Sequence, residues 1–231
     1  MTTEDESGVQ RGYGVDRILG LTDAVFAFVV TLLVLDLAAP SLSPGATSLD
    51  LWAALSDERI AFLDYGISFL IAGAWWNGHH RSFSYIRDSD TKLRWLNLLF
   101  LLWITLLPFF TKLFSENPSI QLGYVLYAID QSAAGFSMTL LWWYATGNHR
   151  FVDKSLSDET IRLRLLANVL ATLWFILSIA VTFGDLNATY IVWCSVFLLP
   201  GFERILTRGR RRRKAKKKPA TPFSPKADES H

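Results

Sequence analysis

Asp23, Asp64 and Asp130 lie inside long apolar stretches of this chain, Arg17 opens one such stretch and the pair His79-His80 closes another. An ionised group among apolar residues is costly unless it is partnered, so each of these positions is a site candidate by default. Their spacing decides which chemistry is open to them. Arg17 and Asp23 stand six residues apart and project to different faces of a helix, so they form no pair of their own and each needs a partner elsewhere. His79 or His80 could bond Asp23 or a backbone carbonyl near the same helix ends; equally, adjacent histidines can cap an interfacial end. Two neighbouring histidines without a Cys or an acidic cluster do not make a metal site. No clustered acid–base set, metal-ligand spacing or nucleotide fingerprint occurs, which argues against an enzyme.

A second pattern precedes Asp36. At about 100° per residue, Ala24, Phe28, Thr31 and Leu35 share one narrow arc of a helix, with Gly20 and Ala27 beside it. One reading is a small-residue stripe for close helix packing. The other is a pore wall, where small or hydroxyl side chains leave a lumen and a bulky apolar one closes it. Periodicity alone favours the packing reading over the pore wall.

The elements that position these residues are membrane helices. A bilayer core asks for about 20 apolar residues per helix. Six intervals qualify: Ile18 to Ala39, Ile60 to His80, Leu93 to Phe114, Ile120 to Ala145, Leu163 to Phe183 and Ala188 to Leu206. Pro108 predicts a kink in the third. Trp95, Trp142, Trp143, Tyr144 and Tyr190 sit near the ends, as an interfacial belt requires. The loop Pro40 to Asp57 has room for a short helix around Leu49 to Leu55. The expectation is an all-α membrane protein with six transmembrane helices over residues 15–207, after a short segment 1–14 and before a basic tail 208–231.

Charge sets the orientation. Only 19% of the 231 residues are charged, and they crowd the termini and short loops. Twenty-one of the 23 Lys and Arg fall on one side, all but Arg59 and Lys112. The positive-inside rule then places both termini in the cytoplasm of a cell whose inner membrane holds the chain. The run Arg208 to Lys218 could be a nucleic-acid arm. Directly after a membrane helix it reads instead as a patch for anionic lipid headgroups, with no nucleic acid expected. Residues Pro219 to His231 are polar and read as disordered. The single Cys194 excludes an intramolecular disulfide framework, and the acidic first ten residues lack the basic start of a secretory signal.

The run from Arg17 through Thr22-Asp23, Ala27 and Thr31 to Leu35 resembles the first-helix signature of the endosomal and lysosomal transmembrane potassium channel family. Trp76-Asn-Gly-His79-His80-Arg-Ser-Phe83, Asp90, Leu93-Arg-Trp95-Leu-Asn97-Leu-Leu-Phe100 and Pro108-Phe109 resemble the family's second and third helices. The likeness is close over residues 17–111 and rests on hydropathy beyond them. It implies a six-helix unit that assembles as a homotetramer around a pore lined by the first helix. No Thr-Val-Gly-Tyr-Gly segment occurs, so a carbonyl filter of that kind is excluded. The family's hydrophobic constriction falls on Phe28 and its potassium-preference position on Thr31, which makes Ala24, Phe28, Thr31 and Leu35 the lining. Arg17, Thr22, Asp23, Trp76, His79, His80 and Asn97 become a polar network holding the cytoplasmic helix ends. Two departures stand out: Leu21-Thr22 replaces Phe-Ser, and Phe28 replaces an aliphatic residue. The function implied is passive, potassium-preferring conduction with the ion itself and no cofactor. The alternative is a proton-coupled secondary transporter using Asp23, Asp64, Asp130 and the His pair, although no internal repeat supports it.

Overall fold

A computed structural model describes residues 3–195, and every described element is helical apart from one antiparallel bridge, Ile86 to Val152. The elements are α1 (Thr3–Leu35), α2 (Ser48–Asp57), α3 (Arg59–Phe83), α4 (Thr91–Ser115), α5 (Gln121–Thr146), α6 (Asp158–Thr182) and α7 (Leu186–Ser195). The distal part of the expected sixth span and the whole basic tail lie outside the described residues.

Hydropathy finds the apolar length of a helix, and capping finds its ends. The α6 helix begins five residues before the expected Leu163, because Ser157 accepts from the Thr160 amide while Asp158 and Glu159 occupy the first turn. Acidic residues there complement the positive end of the helix dipole. The α1 helix starts well before Ile18 and stops at Leu35 instead of running to Ala39. Pro40 disfavours helical backbone at Ala39, so the helix does not reach the expected end. The short helix α2 forms where expected, opened by a reciprocal capping box between Thr47 and Asp50.

Among the described residues, three segments are long and apolar enough to cross a membrane on composition alone. They are Gly14–Leu35, Thr91–Ser115 and Asp158–Thr182. The helices α3 and α5 have comparable lengths, 25 and 26 residues, but carry polar side chains inward. Buried Asp64, Ser68, His79 and Ser82 lie on α3, and buried Asp130, Gln131 and Ser137 on α5.

Packing follows the hairpin order. The α4 helix lies against α5, α5 against α6, and α1 against both α3 and α4. The core at the Gly14 end of α1 comprises Val15, Ile18, Phe83, Leu93, Leu141 and Val152. At the opposite end Phe114, Tyr124, Tyr127, Tyr190 and Trp193 form an aromatic cluster, with Tyr127 and Trp193 ring centroids 4.5 Å apart.

The two links at the Gly14 end are tied together. The Arg87 amide donates to the Phe151 carbonyl at 2.7 Å, and the α5–α6 link turns through Asn148 and His149 at positive φ (53° and 51°). Asp90 anchors this end: its carboxylate accepts from the Leu93 amide at 2.7 Å and from the Tyr144 hydroxyl at 2.6 Å. Burial pushes the Asp90 carboxyl up, but those hydrogen bonds and the Arg150 charge outweigh it and hold it below the ordinary carboxylate value. A carboxyl depressed in the folded state stabilises above its unfolded pKa and loses that contribution as pH falls through the folded one. Tyr144→Phe should therefore lower the melting temperature at pH 7, and its deficit should shrink below about pH 4. Melts of detergent-solubilised protein at both pH values check this, and a deficit constant with pH would rule it out.

Candidate pore-lining face and its polar support

The helix α1 has two unlike faces. Val15, Ile18, Thr22, Phe26, Val29 and Leu33 recur at helical spacing and are buried against α3 and α4. Half a turn around, Gly20, Ala24, Ala27, Phe28, Thr31 and Leu35 are exposed. Phe28 is 63% and Leu35 75% exposed, so neither serves as a packing residue within its own chain. The Thr31 hydroxyl donates to the Phe28 carbonyl at 2.7 Å. Its hydrogen is thereby committed to the backbone, and its oxygen is presented outward as an acceptor.

Behind this face stand two separate polar groups. The first is buried. Asn97 of α4 donates through Nδ2 to Thr22 Oγ1 at 3.2 Å, and its Oδ1 lies 2.7 Å from His79 Nε2. With the amide so oriented, His79 carries its proton on Nε2 and donates it to Asn97. The His79 ring is stacked on Phe83 (4.2 Å) and Phe100 (5.5 Å). Asn97 thus bridges α1, α3 and α4 from a single position.

The second group is half exposed. Trp76 donates to Asp23 Oδ1 at 2.8 Å, and His80 Nδ1 lies 3.7 Å from the same oxygen. That contact becomes an ion pair only when His80 is protonated. Arg17 lies exposed on the same end of α1. Of the residues singled out in the sequence, Asp23, Trp76 and His80 come together, as do Thr22, His79 and Asn97, in two clusters instead of one.

At the other end of α1, Lys112 of α4 lies 3.4 Å from Asp36, the first residue beyond the helix, and 3.9 Å from Glu116. A third, interior set joins α3, α4, α5 and α7. Thr111 donates to Ser68 at 2.9 Å, Ser68 and Tyr127 are 3.3 Å apart, and Tyr190 donates to Asp64 at 2.8 Å. Deeper in, Trp75 donates to Gln131, which donates to Asp130, both at 2.8 Å. Sequence reasoning noted Asp64 and Asp130 but missed the hydroxyl partners. The signal was the helical spacing of Asp64, Ser68, Trp75 and His79 along one face of α3. No three His, Cys, Asp or Glu residues gather to hold a metal among the described residues.

The two-faced first helix and the Thr22–Asn97–His79 bridge fall within residues 17–108, the segment matched by the family described as endosomal/lysosomal potassium channel TMEM175. A potassium channel of Chamaesiphon minutus is 30% identical over 145 residues, covering 59% of this chain and 68% of that protein. The chain belongs to the TMEM175 family. A Streptomyces collinus protein named as a potassium channel is 28% identical over 194 residues, which span 82% of this chain and 92% of that one. The crystal structure of a TMEM175 homologue from Chamaesiphon minutus, described as a lysosomal potassium-selective channel homologue, shares the fold. Its TM-score is 0.71 at 22% identity, over 83% of this chain and 98% of the other. Membership of the TMEM175 family, together with the apolar helices, makes this a multi-pass membrane protein and a channel-family member rather than an enzyme.

Proposed function

We propose that the protein is a passive, potassium-preferring cation channel, formed by four copies around an axis lined by Ala24, Phe28, Thr31 and Leu35. The observation that carries this reading is the uncovered face of α1. The chain buries the opposite face and leaves in the open a stripe of small, hydroxyl and bulky apolar residues at one register. Four such stripes facing one another make a narrow tube whose tightest ring is Phe28. Three helical turns of apolar wall with one hydroxyl oxygen per subunit suit a weakly hydrated cation, which gives up water more readily than a smaller one. The relatives named as potassium channels support the choice of ion.

The rest of the arrangement follows from this axis. Six helices cross the inner membrane, α1 and α3 to α7. Both termini and the links tied at Asp90 face the cytoplasm, where the tail 208–231 meets anionic lipid headgroups. Arg17 joins Asp23, Trp76 and His80 at the cytoplasmic mouth, while Thr22, Asn97 and His79 hold α1 to its neighbours. The channel needs no cofactor.

Purified protein in liposomes tests the reading. Potassium should move down its own gradient faster than sodium, at a rate independent of any counter-substrate gradient. Flux that requires an opposing proton gradient would replace the channel with a coupled transporter.

A further inference from the structure

The outer ends of the helices carry an unequal charge load. Under the orientation above, the outer links hold Asp36, Asp50, Asp57, Glu58, Glu116 and Asp185 against only Arg59 and Lys112. Asp36 is placed differently from the others, because it directly follows Leu35, the last residue of the exposed α1 stripe. The α1 C-terminus adds the partial negative charge of its unpaired carbonyls, and its last turn holds no basic residue to offset it. Among the described residues, the counter-charge on this end of α1 comes from α4. Lys112 sits 3.4 Å from Asp36 and 3.9 Å from Glu116, so one cation is shared between two carboxylates. The trio keeps one net negative charge per subunit.

We infer that Asp36 is the cation-concentrating residue of the outer pore mouth, and that Lys112 sets how much of its charge an approaching ion meets. This rests on the pore reading, since only a tetramer around α1 turns Asp36 into a ring. The ring and the four helix ends raise the local cation concentration and repel anions before the apolar constriction is reached. Fields of this kind depend on salt: the screening length is about 30 Å at 0.01 M and about 3 Å at 1 M. Lys112 is half exposed, so its removal costs little folding stability.

Potassium conductance in planar bilayers at 10 mM and at 1 M KCl, with reversal potentials in a KCl gradient, tests the inference. Lys112→Gln should raise conductance about two- to five-fold at 10 mM and leave it unchanged at 1 M, the scale expected of electrostatic focusing. Asp36→Asn should lower it by a similar factor at 10 mM and shift the reversal potential toward that of chloride. Equal effects at both salt concentrations would mean a structural role and overturn the inference, as would no effect of Lys112→Gln at 10 mM. Should Asp36→Asn assemble poorly, the Lys112 variant decides alone. Phe28→Ala in the same bilayers separates the two ideas. A change with Phe28→Ala and none with Lys112→Gln removes only the mouth assignment, whereas no change with Phe28→Ala removes the axis and the mouth together.

Discussion

Phe28→Ala should give a tetramer that stays assembled, passes potassium faster and discriminates less against sodium. The expectation comes from where the ring sits. Loss of a buried Phe from a packed core costs about 3–5 kcal/mol. Phe28 is 63% exposed on its own subunit, so that cost does not arise within the chain. In the proposed tetramer, four rings at one level would exclude water from the axis, and a dewetted constriction is a barrier to ions. Replacing them with methyl groups widens and wets the passage. Thr31→Val, one turn further on, removes the outward oxygen without changing shape much, and should reduce preference for potassium over sodium with little change in assembly. Liposome flux and size-exclusion behaviour of the same preparation are the measurements. A stable Phe28→Ala tetramer with unaltered conduction and ion preference would remove this face from the pore.

Asn97→Ala should be the most destabilising polar substitution at the Gly14 end of the helices. Its amide is buried and satisfies Thr22 and His79 at once, so truncation orphans one group on α1 and one on α3. A buried polar group left without a partner costs about 1–3 kcal/mol. Hydrogen bonds between membrane helices average only about 0.6 kcal/mol, because the separated helices find other partners. With two groups orphaned in a tightly stacked aromatic setting, a loss of about 1–3 kcal/mol in total is expected. Asp23→Ala should cost less, because its partners Trp76 and His80 are both about two-fifths exposed and can turn to water. Thermal melting of the two variants in one detergent checks the order, and a larger loss for Asp23→Ala would reverse it. From the sequence, the charged residue would be expected to hold these helices. The structure gives the buried bridge at this end to the neutral amide, since Asn97 reaches Thr22 on α1 and His79 on α3 at once.

How much was legible in advance depended on the range over which each signal acts. Hydropathy located α4 and α5 to within two residues at each end, since apolar length is a local property. The two-sidedness of α1 was also legible, because the spacing of Ala24, Phe28, Thr31 and Leu35 marks one face. Whether that face was packed or open was not, as this depends on which helices cover its other side. The interior pairs were harder still. Thr22 and Asn97 are 75 residues apart, and Asp64 and Tyr190 are 126 apart. Such contacts follow from how whole helices cross, and no local pattern of the chain encodes them. The resemblance placed Asn97 beside the His pair, but only coordinates divide the polar residues into a buried bridge and a half-exposed cluster.

The inward polar residues of α3 and α5 bear on how this protein enters its membrane. An Asp at the centre of an inserting helix is disfavoured by about 2.5–3.5 kcal/mol, and each Leu or Ile returns only about 0.3–0.6 kcal/mol. Asp64 on α3 and Asp130 with Gln131 on α5 therefore weigh against either helix entering lipid alone, as their hydropathy already indicates. Asp64 and Gln131 find partners on other helices: Tyr190 on α7 bonds Asp64 and Trp75 on α3 bonds Gln131, which in turn bonds Asp130. The apolar helices α1, α4 and α6 can leave the insertion machinery singly, as anchors. The helices α3 and α5 are expected to wait at its edge until a neighbour emerges to cover their polar sides. The same side chains that tie the finished subunit together would thus delay the release of the segments that carry them.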